Sequence, residues 1–459
     1  MLQIEDDVKS IETFNGVINQ LLSKYKSGNN EPIEVSFREL VAELDKSDRA
    51  THLIHTYPAK LLMHIPYFFL NNSVFSNEGD LVLDPFSGSG TVMLESILAK
   101  RNAIGADANP LARLISKVKV QKYDSEILNG YKDYIIAEFN CERSIDLPKI
   151  TNIDYWFLTH VQLQLNKIVN AINSIDDEKY RDFYLVCFSN CVKKVSLADQ
   201  RVSVPVRLNA NRYPTVHPLH QEANRKLEAL VDINVFDKFI EVVDGNITRV
   251  EMFNTELSEE LSAQVISKDA RFLTKSLESN ELIESETVSL IISSPPYAGA
   301  QKYIRASSLN LGWLNFIKTD KSLKELDDLN IGRENYKKAE YSIFKPTGIN
   351  EADALLEEIH KRNPIRAHIA GNYLIEMRNA LKEAVRVLKV GGYFVLVVAN
   401  NQVCGEEFRT QEYLQRIIED LGLNVVLRLI DDIKSYGLMT KRNKTASVIT
   451  REWVLVFKK

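Results

Sequence analysis

Long hydrophobic runs are missing from this chain. The most apolar stretch, Tyr393 to Ala399, falls far short of the roughly 20 residues that a membrane-spanning helix needs. Met1 to Asp7 is acidic and has no apolar core of a secretory signal. Cysteine is scarce: the 4 residues, Cys141, Cys187, Cys191 and Cys404, are too few and too scattered for a disulfide framework. Cys187 and Cys191 stand one helical turn apart, but no second pair or nearby histidine completes a metal site, so they read as packed helix residues and no metal is expected. An excess of positive charge is also lacking, with 57 Lys and Arg against 62 Asp and Glu, a net charge of −5. There is no internal repeat and no low-complexity tract. These absences lead to a soluble cytoplasmic protein with reduced thiols and no membrane partner.

At 459 residues with ordinary apolar content, the chain is long enough for two or three domains, or for one large domain with an insertion. Residues 1–50 read as a polar helical arm, with helical spacing over Val8 to Tyr25 and again over Ser36 to Leu44. The pattern then changes. Asp80 to Asp84 predicts a short buried strand, Thr91 to Lys100 an apolar helix, and Asn102 to Ala106 a second strand, together a βαβ unit with a parallel sheet. From about 126 to 250 the sequence is helical and polar, with an apolar stripe over Ser174 to Ser196 that includes Phe183, Tyr184, Phe188 and Val192. Strand signals resume at Thr287 to Ser293, Tyr393 to Ala399, Leu423 to Ile430 and Glu452 to Phe457, with a helix over Asn372 to Leu388. The reading is one doubly wound α/β domain, its parts at 51–125 and 251–459 separated by a helical insertion at 126–250.

Two motifs carry chemistry. In Asp84-Pro85-Phe86-Ser87-Gly88-Ser89-Gly90-Thr91 the glycines let the backbone leave the strand sharply and approach a ligand closely. The turn opens a helix whose free N–H groups favour a carboxylate or phosphate. Such a turn fits nucleotides, flavins or S-adenosylmethionine, and the missing lysine of a phosphate-binding loop disfavours a triphosphate. Asp107 ends the next strand, where an acid can bind ribose hydroxyls. The second motif, Ser294-Pro295-Pro296-Tyr297, directly follows a buried strand. Its prolines fix φ and remove two donors, leaving rigid carbonyls beside a polar side chain. Ser294 and the Pro295 carbonyl can grip the hydrogens of an amino group, and Tyr297 can stack on a flat ring. Two acid-poor basic stretches, Lys193, Lys194, Arg201, Arg207 and Arg212, and Lys434, Lys441, Arg442 and Lys444, read alone as solvated faces or as sites for phosphate.

Together the glycine turn and Ser-Pro-Pro-Tyr resemble the cofactor and catalytic motifs of the amino-group (cytosine-N4 and adenine-N6) DNA methyltransferases. His55-Thr-Tyr57-Pro58-Ala-Lys60 resembles the N-terminal cofactor motif of the cytosine-N4 branch, and Asp107-Ala-Asn109-Pro resembles the family's ribose-binding acid. Lys268-Asp269-Ala-Arg271 resembles the stretch whose acid lies near the cofactor's adenine, with lysine where glycine is usual. Tyr303 to Leu314 resembles the helix after the catalytic loop, and Leu388-Lys-Val-Gly-Gly392 the turn before the fifth strand. The resemblance implies the mixed seven-stranded sheet of S-adenosylmethionine-dependent methyltransferases and that compound as cofactor. Tyr57, Pro58, Lys60, Asp84, Pro85, Phe86, Gly88, Ser89, Gly90, Thr91, Asp107, Asn109 and Asp269 would be the cofactor residues. Here the cofactor motif precedes the catalytic one, with the insertion between them, so the place of target recognition is not inherited.

The chemistry excludes one rival. Methylation at cytosine C5 requires a thiolate nucleophile, typically from a Pro-Cys pair, and no such dipeptide occurs. An exocyclic amine needs only to be turned out of conjugation and aligned with the methyl group. It must also leave the base stack, so double-stranded DNA with a flipped base is the expected substrate. Serine at the head of the tetrapeptide favours cytosine N4. Adenine N6 and an RNA substrate remain alternatives, and a cognate restriction endonuclease is a possible partner. Lys193, Lys194, Arg201, Arg207 and Arg212 are then the candidate DNA contacts.

Overall fold

The computed structural model describes residues 2–44, 49–58, 60–141, 145–257, 261–297, 303–432 and 450–459. Among these, eight strands form one sheet: β1 (Ile33–Val35), β2 (Leu81–Asp84), β3 (Asn102–Ala106), β4 (Ala263–Ser267), β5 (Val288–Ser293), β6 (Leu388–Val398), β9 (Asn424–Asp432) and β10 (Arg451–Lys458). Two further strands, β7 (Asn401–Val403) and β8 (Glu406–Phe408), make a separate hairpin. The order across the sheet is β1-β9-β10-β6-β5-β2-β3-β4. Strand β10 runs antiparallel to β6 and β9, and the remaining neighbours pair in parallel. This is the expected doubly wound mixed sheet with one strand more than the expected seven.

The additional strand comes from the segment read as a purely helical arm. The helix Leu2–Ser27 is followed by Asn29 and Asn30, both with positive φ (53° and 60°), which asparagine tolerates better than most residues. The chain turns back, and the β-branched Ile33 and Val35 align with Leu429 and Asp431 at the sheet edge, burying Ile33. Helix then resumes only over Phe37–Leu40, shorter than the spacing of Ser36 to Leu44 leads one to expect. A second difference lies at Gly391 and Gly392. They belong to β6 itself, where the register against β5 shifts between Val288↔Leu388 and Leu290↔Tyr393, and Gly391 takes φ +79°. The glycines form a bulge within the strand rather than a turn ahead of it.

From β2 the chain winds outward through β3 and β4, then returns to the other side of β2 as β5 and continues to β6. The order reverses between β2 and β5, so their carboxyl ends leave a crevice that no crossover covers. Between β3 and β4 the helices Ser125–Phe139, Thr159–Asn173, Glu178–Val192 and Val235–Glu256 pack around Phe183, Tyr184, Phe188 and Phe239, all fully buried. Helix Pro110–Lys119 and Trp313 share this core, which therefore abuts the sheet. Cys187 and Cys191 lie in it, and burial pushes both thiols up to about 12. Among the described residues no helix is long and apolar enough to cross a membrane.

Candidate cofactor and catalytic site

The crevice is built from the ends of β2, β3 and β5. Asp84 closes β2 and is 4% exposed. It accepts from the Phe86 N–H (3.1 Å) and, across the switch point, from the Ser293 hydroxyl at 2.6 Å. Ser293 is the last residue of β5 and the tetrapeptide Ser294 to Tyr297 follows it, so this bond ties the two motifs together although they are separated by 209 positions. Burial raises the Asp84 carboxyl to about 7, against the opposing pull of the Ser293 and Phe86 donors.

The glycine turn leans on β3. Ser87 N–H reaches the Ala106 carbonyl at 2.9 Å, and Gly88 N–H reaches Asp107 Oδ2 at 3.0 Å. Gly88 and Gly90 both have positive φ (51° and 77°). A side chain on Gly90 would meet Ser116, whereas the corresponding position at Gly88 faces open space. The Ser89 hydroxyl is buried and has no hydrogen-bond partner among the described residues. Pro85 is buried, Phe86 half-buried, and Thr91 begins the helix Thr91–Leu98. Asp107 Oδ1 accepts from the Asn109 N–H at 2.8 Å; burial raises this carboxyl, against the Asn109 and Gly88 donors. Asn109 caps the helix Pro110–Lys119 and donates to the Tyr57 hydroxyl (3.0 Å) and to Ser307 Oγ (3.2 Å). Tyr57, Asn109, Asp107 and Gly88 thus form one hydrogen-bonded chain, and Asp84 at the start of the same turn bonds the strand end that leads into the tetrapeptide.

Other expected residues have local partners. Lys60 Nζ donates to the His52 (3.1 Å) and His55 (2.6 Å) carbonyls, closing its own loop, and burial lowers it to about 8. Pro58 on that loop is half-buried. Asp269 lies just beyond β4 with both carboxylate oxygens engaged by Arg271, Nη2 to Oδ2 at 2.7 Å. The nearby Phe272 ring is 61% exposed. In the tetrapeptide Pro295 is buried, while Ser294, Pro296 and Tyr297 are half-buried. The Tyr297 hydroxyl donates to Glu452 Oε1 at 3.1 Å.

The insertion reaches this site through a bracket of polar side chains that the sequence reading passed over. Asn190 Oδ1 accepts from Thr56 N–H (3.1 Å) and Oγ1 (2.8 Å), Ser189 Oγ contacts His55 Nε2 (3.1 Å), and Asn246 donates to the Ile54 carbonyl (3.0 Å). Asn310 Nδ2 reaches Ser189 Oγ at 2.7 Å. Among the basic residues of the insertion, Lys193 caps the Val202 carbonyl (2.7 Å) and Arg201 forms a bidentate pair with Asp199. Arg207 lies over the Tyr155 ring, and Lys194 and Arg212 are exposed. Lys434, Lys441, Arg442 and Lys444 lie outside the described residues.

Residues 22–117 match a family model described as DNA methylase. The chain is 23% identical to the type II methyltransferase M.MvaI of Kocuria varians, covering 89% of this chain and 91% of that one. It is 22% identical to the type II methyltransferase M.BsoBI of Geobacillus stearothermophilus, covering 81% of this chain and 77% of the relative. A DNA modification methylase from Thermus thermophilus, solved with S-adenosyl-L-methionine, aligns over 39% of this chain and 49% of its own at 16% identity, with a TM-score of 0.19.

The buried Asp84 carboxyl gives a pH test. The folded state holds its proton more tightly than the unfolded chain, so the stability it contributes is full below the ordinary 3.8 and lost as pH rises to about 7. Asp84→Asn, neutral throughout, should lose less stability than wild type over that interval, by up to about 4 kcal/mol in denaturant titrations. Equal pH dependence in both proteins would contradict the buried neutral carboxyl. The glycine turn, Asp107 and Ser-Pro-Pro-Tyr thus meet at one switch point, in a chain that over most of its length is similar to type II methyltransferases.

Proposed function

We propose that the protein transfers the methyl group of S-adenosylmethionine to N4 of a flipped-out cytosine at a specific site in duplex DNA, as the modification activity of a restriction-modification or related protection system. The observation that carries this reading is Ser-Pro-Pro-Tyr at the end of β5, bonded through Ser293 to Asp84 at the head of the glycine turn. The residues at the turn suit the cofactor. Open space over Gly88, the partnerless buried Ser89 hydroxyl and the Asp107 carboxyl match a ligand that combines a diol with further polar groups. Gly88, Ser89, Asp84 and Asp107 would hold it, with Tyr57 and Asn109 setting the wall. Bound there, S-adenosylmethionine supplies a methyl group already activated by its sulfonium.

The remaining work is positioning. Ser294 Oγ and the Pro295 carbonyl accept the two amine hydrogens and turn the nitrogen lone pair out of conjugation. Tyr297 supports the extruded base, and a buried Pro295 keeps its carbonyl fixed. The short Ser294 side chain suits a pyrimidine, which favours cytosine N4 over adenine N6. Type II methyltransferase relatives spanning most of the chain support site-specific DNA as substrate. The basic run follows directly from the helix whose Ser189 and Asn190 brace the cofactor loop, so phosphate contacts there would lie near the crevice.

Two experiments test this reading. Digestion of methylated duplex DNA to nucleosides should yield N4-methylcytosine, and Ser294→Ala should slow turnover by roughly 10²-fold with cofactor affinity near normal. N6-methyladenine as product would overturn the base assignment. Replacing the exposed Lys194 and Arg212 by alanine should lower DNA affinity and reduce the slope of log affinity against log salt by about 1 per residue. An unchanged slope would place the phosphate contacts elsewhere.

A further inference from the structure

Glu452 is the second residue of β10, and because that strand is antiparallel its first residues lie at the carboxyl edge of the parallel strands, where the crevice is. The Tyr297 hydroxyl donates to Glu452 Oε1 at 3.1 Å, which leaves the phenol oxygen's lone pairs open to a donor such as the Ser294 hydroxyl on the same loop. With Ser294 Oγ–H turned to Tyr297 Oη, a continuous donor order would run on through Tyr297 Oη–H to the Glu452 carboxylate. The Ser294 lone pair would then be free for an amine held by the tetrapeptide.

We propose that Glu452, acting through Tyr297 and Ser294, is a positioning residue that polarises Ser294 during methyl transfer and receives the proton the amine must lose. This inference rests on the amine-methylation reading above. The nitrogen lone pair forms the N–C bond as the C–S bond breaks, its electrons staying on sulfur. The nitrogen then carries a surplus proton. That proton passes to Ser294 Oγ, the Ser294 proton to Tyr297 Oη, and the Tyr297 proton to Glu452. The methylated amine, serine and tyrosine end neutral, and a neutral Glu452 carboxyl, half-buried, can release its proton to water. A carboxylate at the end of the chain also strengthens Ser294 as an acceptor just when positive charge develops on the nitrogen.

The surroundings of Glu452 suit a proton acceptor. Burial raises its carboxyl, the Tyr297 hydroxyl lowers it, and Asp431, its cross-strand partner on β9, raises it again. The cations nearby on these strands are engaged elsewhere: Arg451 pairs with Asp432 (2.8 Å) and Glu34 (3.3 Å), and the Arg428 guanidinium lies over the Trp453 ring.

The test is the single-turnover rate of methyl transfer to duplex DNA against pH for wild type, Glu452→Gln and Tyr297→Phe. Infrared difference spectra of wild type minus E452Q, taken in parallel, follow the carboxyl itself. Glutamine can still accept from Tyr297 but cannot take a proton. The expected result is a wild-type rate that falls at acid pH with the Glu452 titration, above the usual carboxylate range. E452Q should be slower by about 10-fold to 100-fold without that limb, while calorimetric cofactor affinity is unchanged. A wild-type rate in E452Q, or a slow E452Q that keeps the acid limb, overturns the relay while leaving amine methylation standing. Wild type that methylates no base amine overturns the functional reading and the relay with it. If E452Q loses cofactor affinity, Tyr297→Phe decides: retention of the wild-type rate and acid limb overturns the relay, and their loss supports it.

Discussion

The hydrogen bond from Ser293 to Asp84 is the constraint on which the site depends. It joins the ends of two neighbouring parallel strands at the point where the sheet order reverses. One partner begins the glycine turn and the other precedes Ser-Pro-Pro-Tyr, so the bond fixes the glycine turn against the Pro-Pro loop. A doubly wound sheet provides such a place once, because elsewhere the crossovers close over the strand ends. The bond is buried, and a buried carboxyl is costly unless paired or neutral. The raised Asp84 expresses that cost.

Around this contact the protein uses its helices as a frame. The helices between β3 and β4 fill a core of their own, yet their polar residues Ser189, Asn190 and Asn246 hold the loop that carries Tyr57. Tyr57 in turn meets Asn109, whose backbone N–H binds Asp107. A shift of the insertion would be felt through these contacts at the loop beside the glycine turn. From the antiparallel strand β10, Glu452 accepts from the Tyr297 hydroxyl of the tetrapeptide, so this strand braces the Pro-Pro loop as well as completing the sheet.

Much of this was legible in the sequence because the signals are local. A short apolar run followed by Gly-Ser-Gly, or by Pro-Pro, announces a strand and the loop at its end, and β2, β3, β5, β6, β9 and β10 fall close to where the pattern leads. The missed strands β1 and β4 are three and five residues long and lie at the sheet edges, where Ile33-Glu-Val35 and Ala263 to Ser267 leave little periodicity to read. The bracket residues were illegible for another reason. Ser189 and Asn190 sit on a helix whose apolar stripe dominates its pattern, and their partners lie 134 positions away. Glu452 looks like the polar start of a strand until the antiparallel topology carries it to Tyr297. Lys60 shows the reverse case, since a residue matching a cofactor motif uses its ammonium to close its own loop.

The most direct measurement of the central claim is a double-mutant cycle on Ser293→Ala and Asp84→Asn, read in cofactor affinity by calorimetry and in single-turnover methyl transfer to duplex DNA. If the switch-point bond couples the two motifs, the effects should be non-additive by about 1 kcal/mol or more in both readouts. Additive effects, or a cofactor affinity indifferent to Ser293, would contradict the account.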